Sequence, residues 1–286
     1  MRFPLPLLCL LACAGGPAWA DSPALTLRVC NSAGAILASA SASGSAALDY
    51  SSPYQQGDSI QVTAPPRDKH LVIQVDENVP ESMIYSPGAQ FTFAIPFGTL
   101  ANGYDPKAFT GAAHLVKAHI ATPAEIAAYR NVALDALDQR GQSQYFPHAI
   151  ASSVTRNDPV FFERNAIDGN TNNLHHGKWP YESWGNGLNA DPWLKVDFGR
   201  DVTIDKVRLT IRADFPHDTY WTSLTILLSD GGTQDITLRK TAAPQEYTFP
   251  AKTVRWIQLK NFKQPAQPLG YAAVTEIEVY GRDAGP

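Results

Sequence analysis

The stretch Asn165-Ala166-Ile167-Asp168-Gly169-Asn170-Thr171-Asn172-Asn173, followed downstream by Pro192-Trp193-Leu194-Lys195-Val196-Asp197-Phe198-Gly199, decides how this sequence reads. The first part is a polar, glycine-containing turn able to wrap a cation or to tie down a loop. The second alternates, with Trp193, Lys195 and Asp197 on one face and Leu194, Val196 and Phe198 on the other. That period of two predicts a strand with one buried face, closed by a turn at Gly199. The same period returns in Val202 to Arg212, and the chain nears its end on Glu276-Ile277-Glu278-Val279-Tyr280-Gly281.

Composition agrees with a turn-rich β-protein. Of 286 residues, 20 are glycine and 22 proline, charged residues make up only 17% and aromatics 10%. Such a length accommodates two domains with cores of their own. A formal charge of −4 with no basic run makes nucleic acid and anionic membranes poor partners. Residues 1–20 read as a secretory leader: Arg2, an apolar run from Leu5 to Ala14, and Ala18-Trp19-Ala20 as the cleavage site. A lipoprotein signal ending at Cys13 is the rival reading. Either way the expected location is secreted or periplasmic, and no other segment is long enough to be a transmembrane span. Removing the leader takes Cys9 and Cys13 and leaves Cys30 alone, on an alternating strand where a small buried residue belongs.

The ordered set Asn165 to Asn170, Asp191 to Gly199, the Ile204/Val207/Leu209 strand leading to Arg212, and the closing Glu276 to Gly281 resembles the discoidin or coagulation-factor type C family, which includes the family-32 carbohydrate-binding modules. The resemblance covers about residues 145–283. It implies a galactose-binding-like jelly-roll β-sandwich that binds glycans, or sometimes lipid or protein, through loops at one end. The N-terminal half resembles a bacterial β-sandwich found in the same two-domain layout. The chain is therefore expected to be all-β: leader 1–20, N-terminal sandwich 21–121, helix and connector 122–144, jelly roll 145–284.

Within the N-terminal part, Leu25–Cys30, Ser59–Thr63, His70–Val75, Met83–Tyr85 and Gln90–Ile95 read as strands. The Ser/Ala/Gly tract Ser39–Ala47 reads as strand edge or loop. Thr122 predicts an N-cap, with Pro123 at the first helical position and Glu125 closing a capping box, and the helix should run to about Ala133. The connector is rich in aromatic and multivalent polar residues, so it should pack between the domains and hold them fixed.

Sugar recognition needs a flat apolar ring against the C–H face of a pyranose and planar polar groups for its hydroxyls. Two loops offer both. Trp179, Tyr181 and Trp221 are candidates for stacking, and His175, His176, Glu182, Arg212, Asp214, His217 and Asp218 for hydrogen bonds. Arg212 stands where the resembled modules carry a binding arginine. The structural alternatives are an Arg212 ion pair with Asp214 or Asp218, solvated His175 and His176, and Trp184 and Trp193 as core. The resemblance further implies a structural calcium ion held by Asp168, the Asn165 carbonyl, oxygens around Asn170 to Asn173, and Glu276 with the Thr275 carbonyl. Asn173 stands where the family often has threonine, and Leu174-His175-His176-Gly177 lengthens the loop; the competing reading has Asp168 accepting backbone N–H groups. The rival functions are glycan cleavage at the domain interface, with Asp135 and Asp138 as a carboxylate pair beside His148, and protein binding through the same loops.

Overall fold

A computed structural model describes residues 24–67, 69–142, 144–213, 219–265 and 270–285. The leader, and with it Cys9 and Cys13, lies outside the described residues, as do Asp214, His217 and Asp218. Among the described residues no helix is long and apolar enough to cross a membrane.

The N-terminal sandwich consists of β1 (Ala24–Cys30), β2 (Ile36–Ser43), β3 (Ser45–Tyr50), β4 (Ser59–Thr63), β5 (Lys69–Gln74), β6 (Ser82–Ser86), β7 (Gln90–Ala94) and β8 (His114–Ile120). They form two four-stranded antiparallel sheets, ordered β2-β1-β4-β7 and β3-β8-β5-β6. Alternate side chains close the core between them: Leu25, Leu27, Val29, Ile60, Val62, Ile73, Ile84 and Phe93 are all buried. Cys30 is buried and free, and burial raises its thiol pKa. The Ser39–Ala47 tract lies on β2 and β3, each the edge strand of its sheet, with a bend at Gly44 between them. Gly44, at φ +73°, lets the chain pass from β2 in one sheet to β3 in the other, where Ala46, Leu48 and Tyr50 turn inward. The segment from His114 is a strand as well, paired with β3 and β5.

The connector begins with α1 (Pro123–Ala127), whose N-cap is Thr122 with a complete capping box to Glu125. The helix stops well short of Ala133. Ala128 is already extended, and β9 (Arg130–Asn131) pairs with the last strand of the chain, so sheet hydrogen bonds displace helical ones. Beyond β9 the connector feeds both domains. Val132 and Ala133 pack into the C-terminal core, whereas Ala136, Leu137 and Tyr145 pack into the N-terminal one. Tyr145, placed by the sequence at the start of the jelly roll, lies 4.7 Å from the Phe91 ring and accepts the Thr92 N–H at 2.9 Å.

The C-terminal domain comprises β10 (His148–Ala151), β11 (Trp184–Gly185), β12 (Leu194–Ile211), β13 (Ser223–Leu228), β14 (Thr233–Thr237), β15 (Gln245–Lys263) and β16 (Ala273–Asp283). Its ladder runs β11-β16-β12-β15-β13-β14, with β10 on β12 and β9 on β16. The two segments read as separate strands on either side of Gly199 are one strand, β12. Gly199 at φ +66° does not turn the chain back; it makes a register shift between Asp197 and Val202 after which pairing resumes. A Cβ there would stand 2.2 Å from the Phe146 ring. The first part of β12 pairs with β10 and β15, and the second with β15 and β16, so one strand serves both regions of the jelly roll. Likewise β15 is a single long strand, Gln245–Lys263. Trp184 is fully buried in this core, as expected, and its indole N–H donates to the Ser153 carbonyl at 3.0 Å. Trp193 is only half-buried, because it lies on the outward-facing side of the alternation that buries Leu194, Val196 and Phe198.

Charged groups stitch the domains together. Asp283 meets His70 Nε2 of the N-terminal domain at 2.9 Å, Arg130 Nη2 of the connector at 2.6 Å, and the Arg200 guanidinium. Arg164 is buried and donates to the carbonyls of Asp138 (2.7 Å), Ala136 (3.0 Å) and Gly103 (3.3 Å), while its guanidinium lies 4.4 Å from the Tyr104 ring centre.

Candidate functional site

At one end of the jelly roll, where β12 stops and β16 begins, the connecting loops leave a cleft of about 260 Å³. Its lining includes Thr155, Arg156, Phe161, His176, Arg212 and Tyr271. Sheet pairing positions the arginine: Ile211 is the last β12 residue in register with β16, and the next N–H, of Arg212, donates to the Ala273 carbonyl at 3.3 Å. Arg212 is buried, its guanidinium donates to Ser183 Oγ and lies 5.8 Å from the Phe161 ring centre. His176 stands on the loop above. Burial, and then the positive charges of Arg212 and Arg156, hold its imidazole pKa below the usual value. Tyr271 is 56% exposed on the rim. The cleft thus combines a buried cation, a neutral imidazole, hydroxyls and an exposed aromatic ring, which together suit a polyhydroxylated ring with one apolar face.

Of the residues the sequence singled out for ligand binding, His176 and Arg212 alone among the described ones line this cleft. Trp221 does not stack on anything outside: it is 2% exposed and packs on Phe262 at 4.7 Å, inside the core. His175 is exposed and meets Tyr181 edge-on at 5.0 Å. Trp179 and Glu182 line a different groove at the domain seam, with Asn78, Tyr104, Asp168 and Asn170. The Trp179 N–H donates to the Asn102 carbonyl of the N-terminal domain at 2.8 Å, which draws that loop toward the seam. Thr155, Arg156, Phe161 and Tyr271 were not among the sequence candidates. Tyr271 had a readable signal, an aromatic following Gly270 just before the last strand; Arg156 had none, because its position depends on backbone conformation.

Asp168 Oδ1 accepts the Asn170 N–H at 3.0 Å, and Glu276 Oε1 accepts the Gly169 N–H at 3.2 Å. Asn165 is fully buried, donating to the Pro159 carbonyl at 2.9 Å. Asn173 donates to the carbonyls of Ile211 (2.7 Å) and Ala242 (2.9 Å), which anchors the lengthened loop. Burial, reinforced by Glu182, pushes the Asp168 carboxyl pKa up to about 8, and burial raises those of Glu276 and Glu182. Among the described residues no three His, Cys, Asp or Glu side chains gather closely enough to hold a metal by themselves. A calcium site drawing mainly on carbonyls with one or two carboxylates does fit. Glu276 Oε2 and Thr275 Oγ1 are buried without a hydrogen-bond partner. The competing charge is Arg164, whose Nη1 lies 3.9 Å from Asp168 Oδ2.

The carboxylates considered for catalysis are structural in their contacts. Asp138 accepts the Ala149 N–H at 2.9 Å and lies 2.6 Å from His148 Nδ1, whereas Asp135 accepts the Leu137 N–H at 2.8 Å. All three side chains are buried, and none lines the clefts named here. A larger cleft of about 450 Å³ lies at the seam between Ile95, Leu100, Tyr104 and Phe162. Arg140 at that cleft is occupied with Asn157, with Glu163 at 3.4 Å and with the Phe162 ring at 4.6 Å.

Comparison with curated proteins gives no match. Among solved structures the chain is similar to chitosan-binding module 1 of a chitosanase/glucanase from Paenibacillus sp. IK-5, at 25% identity and TM-score 0.35, over 53% of this chain and 98% of that one. It is similar to the lectin domain of lectinolysin complexed with Lewis B antigen, at 20% identity and TM-score 0.40, over 54% and 97%. It is also similar to the family 32 carbohydrate-binding module of C. perfringens NanJ in complex with galactose, at 25% identity and TM-score 0.34, over 46% and 91%. A family model, the F5/8 type C domain, matches residues 148–277, and over that span the C-terminal half of this chain is an F5/8 type C, or discoidin, domain.

Proposed function

We propose that this protein binds a glycan, without cleaving it, in the cleft between Arg212, His176, Phe161 and Tyr271. The observation that carries the reading is that cleft itself: a buried guanidinium at its base and an exposed tyrosine at its rim, at the loop end of a discoidin domain. Tyr271 stacks on the sugar, while Arg212 and His176 read its hydroxyls. The reading includes export to a secreted or periplasmic location, supported by the leader-like residues 1–20. It also includes a structural calcium ion, for which the partnerless Glu276 Oε2 and the neighbouring Asp168 are the supporting groups. When bound, that ion would tie the Asp168 loop to β16, with Asp168 and Glu276 as its carboxylates.

A glycan array probed with the chain from Asp21, in calcium and in chelator, tests this. Saturable binding to a glycan class, lost in Tyr271→Ala with the fold intact, is expected. Absence of binding to every glycan, or undiminished binding by Tyr271→Ala, overturns the reading.

A further inference from the structure

We infer that the cleft selects glycans bearing a carboxylate, a hexuronic acid for instance, and that Arg156 is the residue that reads it. The inference rests on the glycan-binding reading and adds the ligand's charge class to it.

The first observation is backbone strain. Arg156 and Asn157 are consecutive non-glycine residues in the left-handed region, at φ +54° and +51°. Side-chain-bearing residues rarely adopt that conformation, and two in succession persist only where surrounding contacts over-determine them. Those contacts are present. The buried Thr155 accepts the Gly187 N–H on its hydroxyl at 3.0 Å, and the Asn157 carboxamide oxygen accepts from Arg140. The loop is therefore pinned on both sides of Arg156.

The second observation is what the pinned loop presents. The Arg156 guanidinium stands 5.3 Å from the centre of the same Phe161 ring that Arg212 approaches at 5.8 Å. One ring thus gathers two guanidinium groups in one cleft. No lining residue among those described is acidic. The carboxylate paired with Arg156 is Asp158, 4.0 Å away with 36% of its side chain exposed, a geometry in which water screens most of the attraction. An exposed guanidinium at the mouth of a cleft whose described lining holds no acid favours an anionic occupant.

The third observation separates the two arginines. Arg212 lies at the buried base and donates to Ser183, which suits fixed hydrogen bonds to hydroxyls. Arg156 has 67% of its side chain exposed and carries a planar fork of donors at the mouth, the geometry that grips a carboxylate with two parallel bonds. A pyranose stacked against Tyr271 would offer its ring hydroxyls inward and an equatorial carboxylate outward to Arg156.

The test uses trisaccharides of galacturonate, glucuronate and mannuronate, each beside its methyl ester, which keeps the ring stereochemistry and removes the charge. Titrations use the full chain and Arg156→Gln, a substitution that places another side-chain-bearing residue in the same strained backbone. We expect at least one acid to bind about 10-fold tighter than its ester, as a charge-assisted contact implies. In Arg156→Gln that ratio should fall to within about 2-fold, with the melting temperature unchanged. Equal binding of acid and ester, or a ratio that survives Arg156→Gln, overturns the inference. Binding confined to neutral glycans overturns it while leaving the glycan reading in place; binding of no glycan overturns both.

Discussion

His70 and Asp283, 213 positions apart in sequence, sit 2.9 Å from each other across the domain seam. Asp283 is the shared anion of His70, Arg130 and Arg200, and the hydrogen bonds from these groups hold its carboxyl far below the usual carboxylate range despite burial. Asp283→Asn should leave two arginines facing each other in a mostly buried seam and cost about 3–5 kcal/mol, as breaking a buried pair does. Because the folded-state pKa is depressed, the contribution is complete above the unfolded aspartate value of about 4 and declines as pH falls below it. Urea unfolding of both proteins at neutral and acid pH checks this: the gap should be widest at neutral pH and should narrow in acid.

Two aromatic substitutions should part company. Trp221→Ala empties a core site against Phe262 and should cost about 3–5 kcal/mol. Tyr271→Ala removes an exposed ring and should change stability by less than about 0.5 kcal/mol while abolishing glycan binding. Thermal melts beside binding titrations read both; a stable Trp221→Ala would contradict the core assignment.

Gly199→Ala tests the bend in β12. The new methyl would fall on the Phe146 ring, and the backbone would be held at φ +66°. A loss of at least ~2 kcal/mol is expected from clash and strain together, read from denaturant midpoints.

Calcium should raise the melting temperature, because an ion that binds only the folded state adds about 2.7 kcal/mol at a hundred times its dissociation constant. Glu276→Gln preserves the volume of that fully buried side chain and should remove the calcium response. A response unchanged in the variant places the ion elsewhere; no response in the parent protein means the loop is held by its own hydrogen bonds alone.

Much of the β-structure was legible because alternation is a local signal. Leu194, Val196 and Phe198 announced their buried face, and Thr122 with Glu125 announced the helix start. The helix end was not legible, since the competitor for Arg130 and Asn131 is a strand some 150 residues away. Gly199 reads the same as a reversal or as a bulge; only the partner strands on either side distinguish them. In the cleft, Arg212 and His176 were accessible to pattern, but Trp221 was misread because a loop aromatic and a core aromatic look alike until a neighbour such as Phe262 is in place. Arg156 was beyond reach, its importance lying in φ and not in residue type.

The connector has one more consequence. Since Val132 and Ala133 fill one core while Ala136, Leu137 and Tyr145 fill the other, no cut between them yields two complete pieces. A C-terminal fragment that begins after Tyr145 would start life with a hole beside β16, and an N-terminal fragment ending at Ile120 would lack the lid over Phe91. The two halves therefore share one connector as common core material, and a discoidin domain excised after Tyr145 would lack Val132 and Ala133 of its own core.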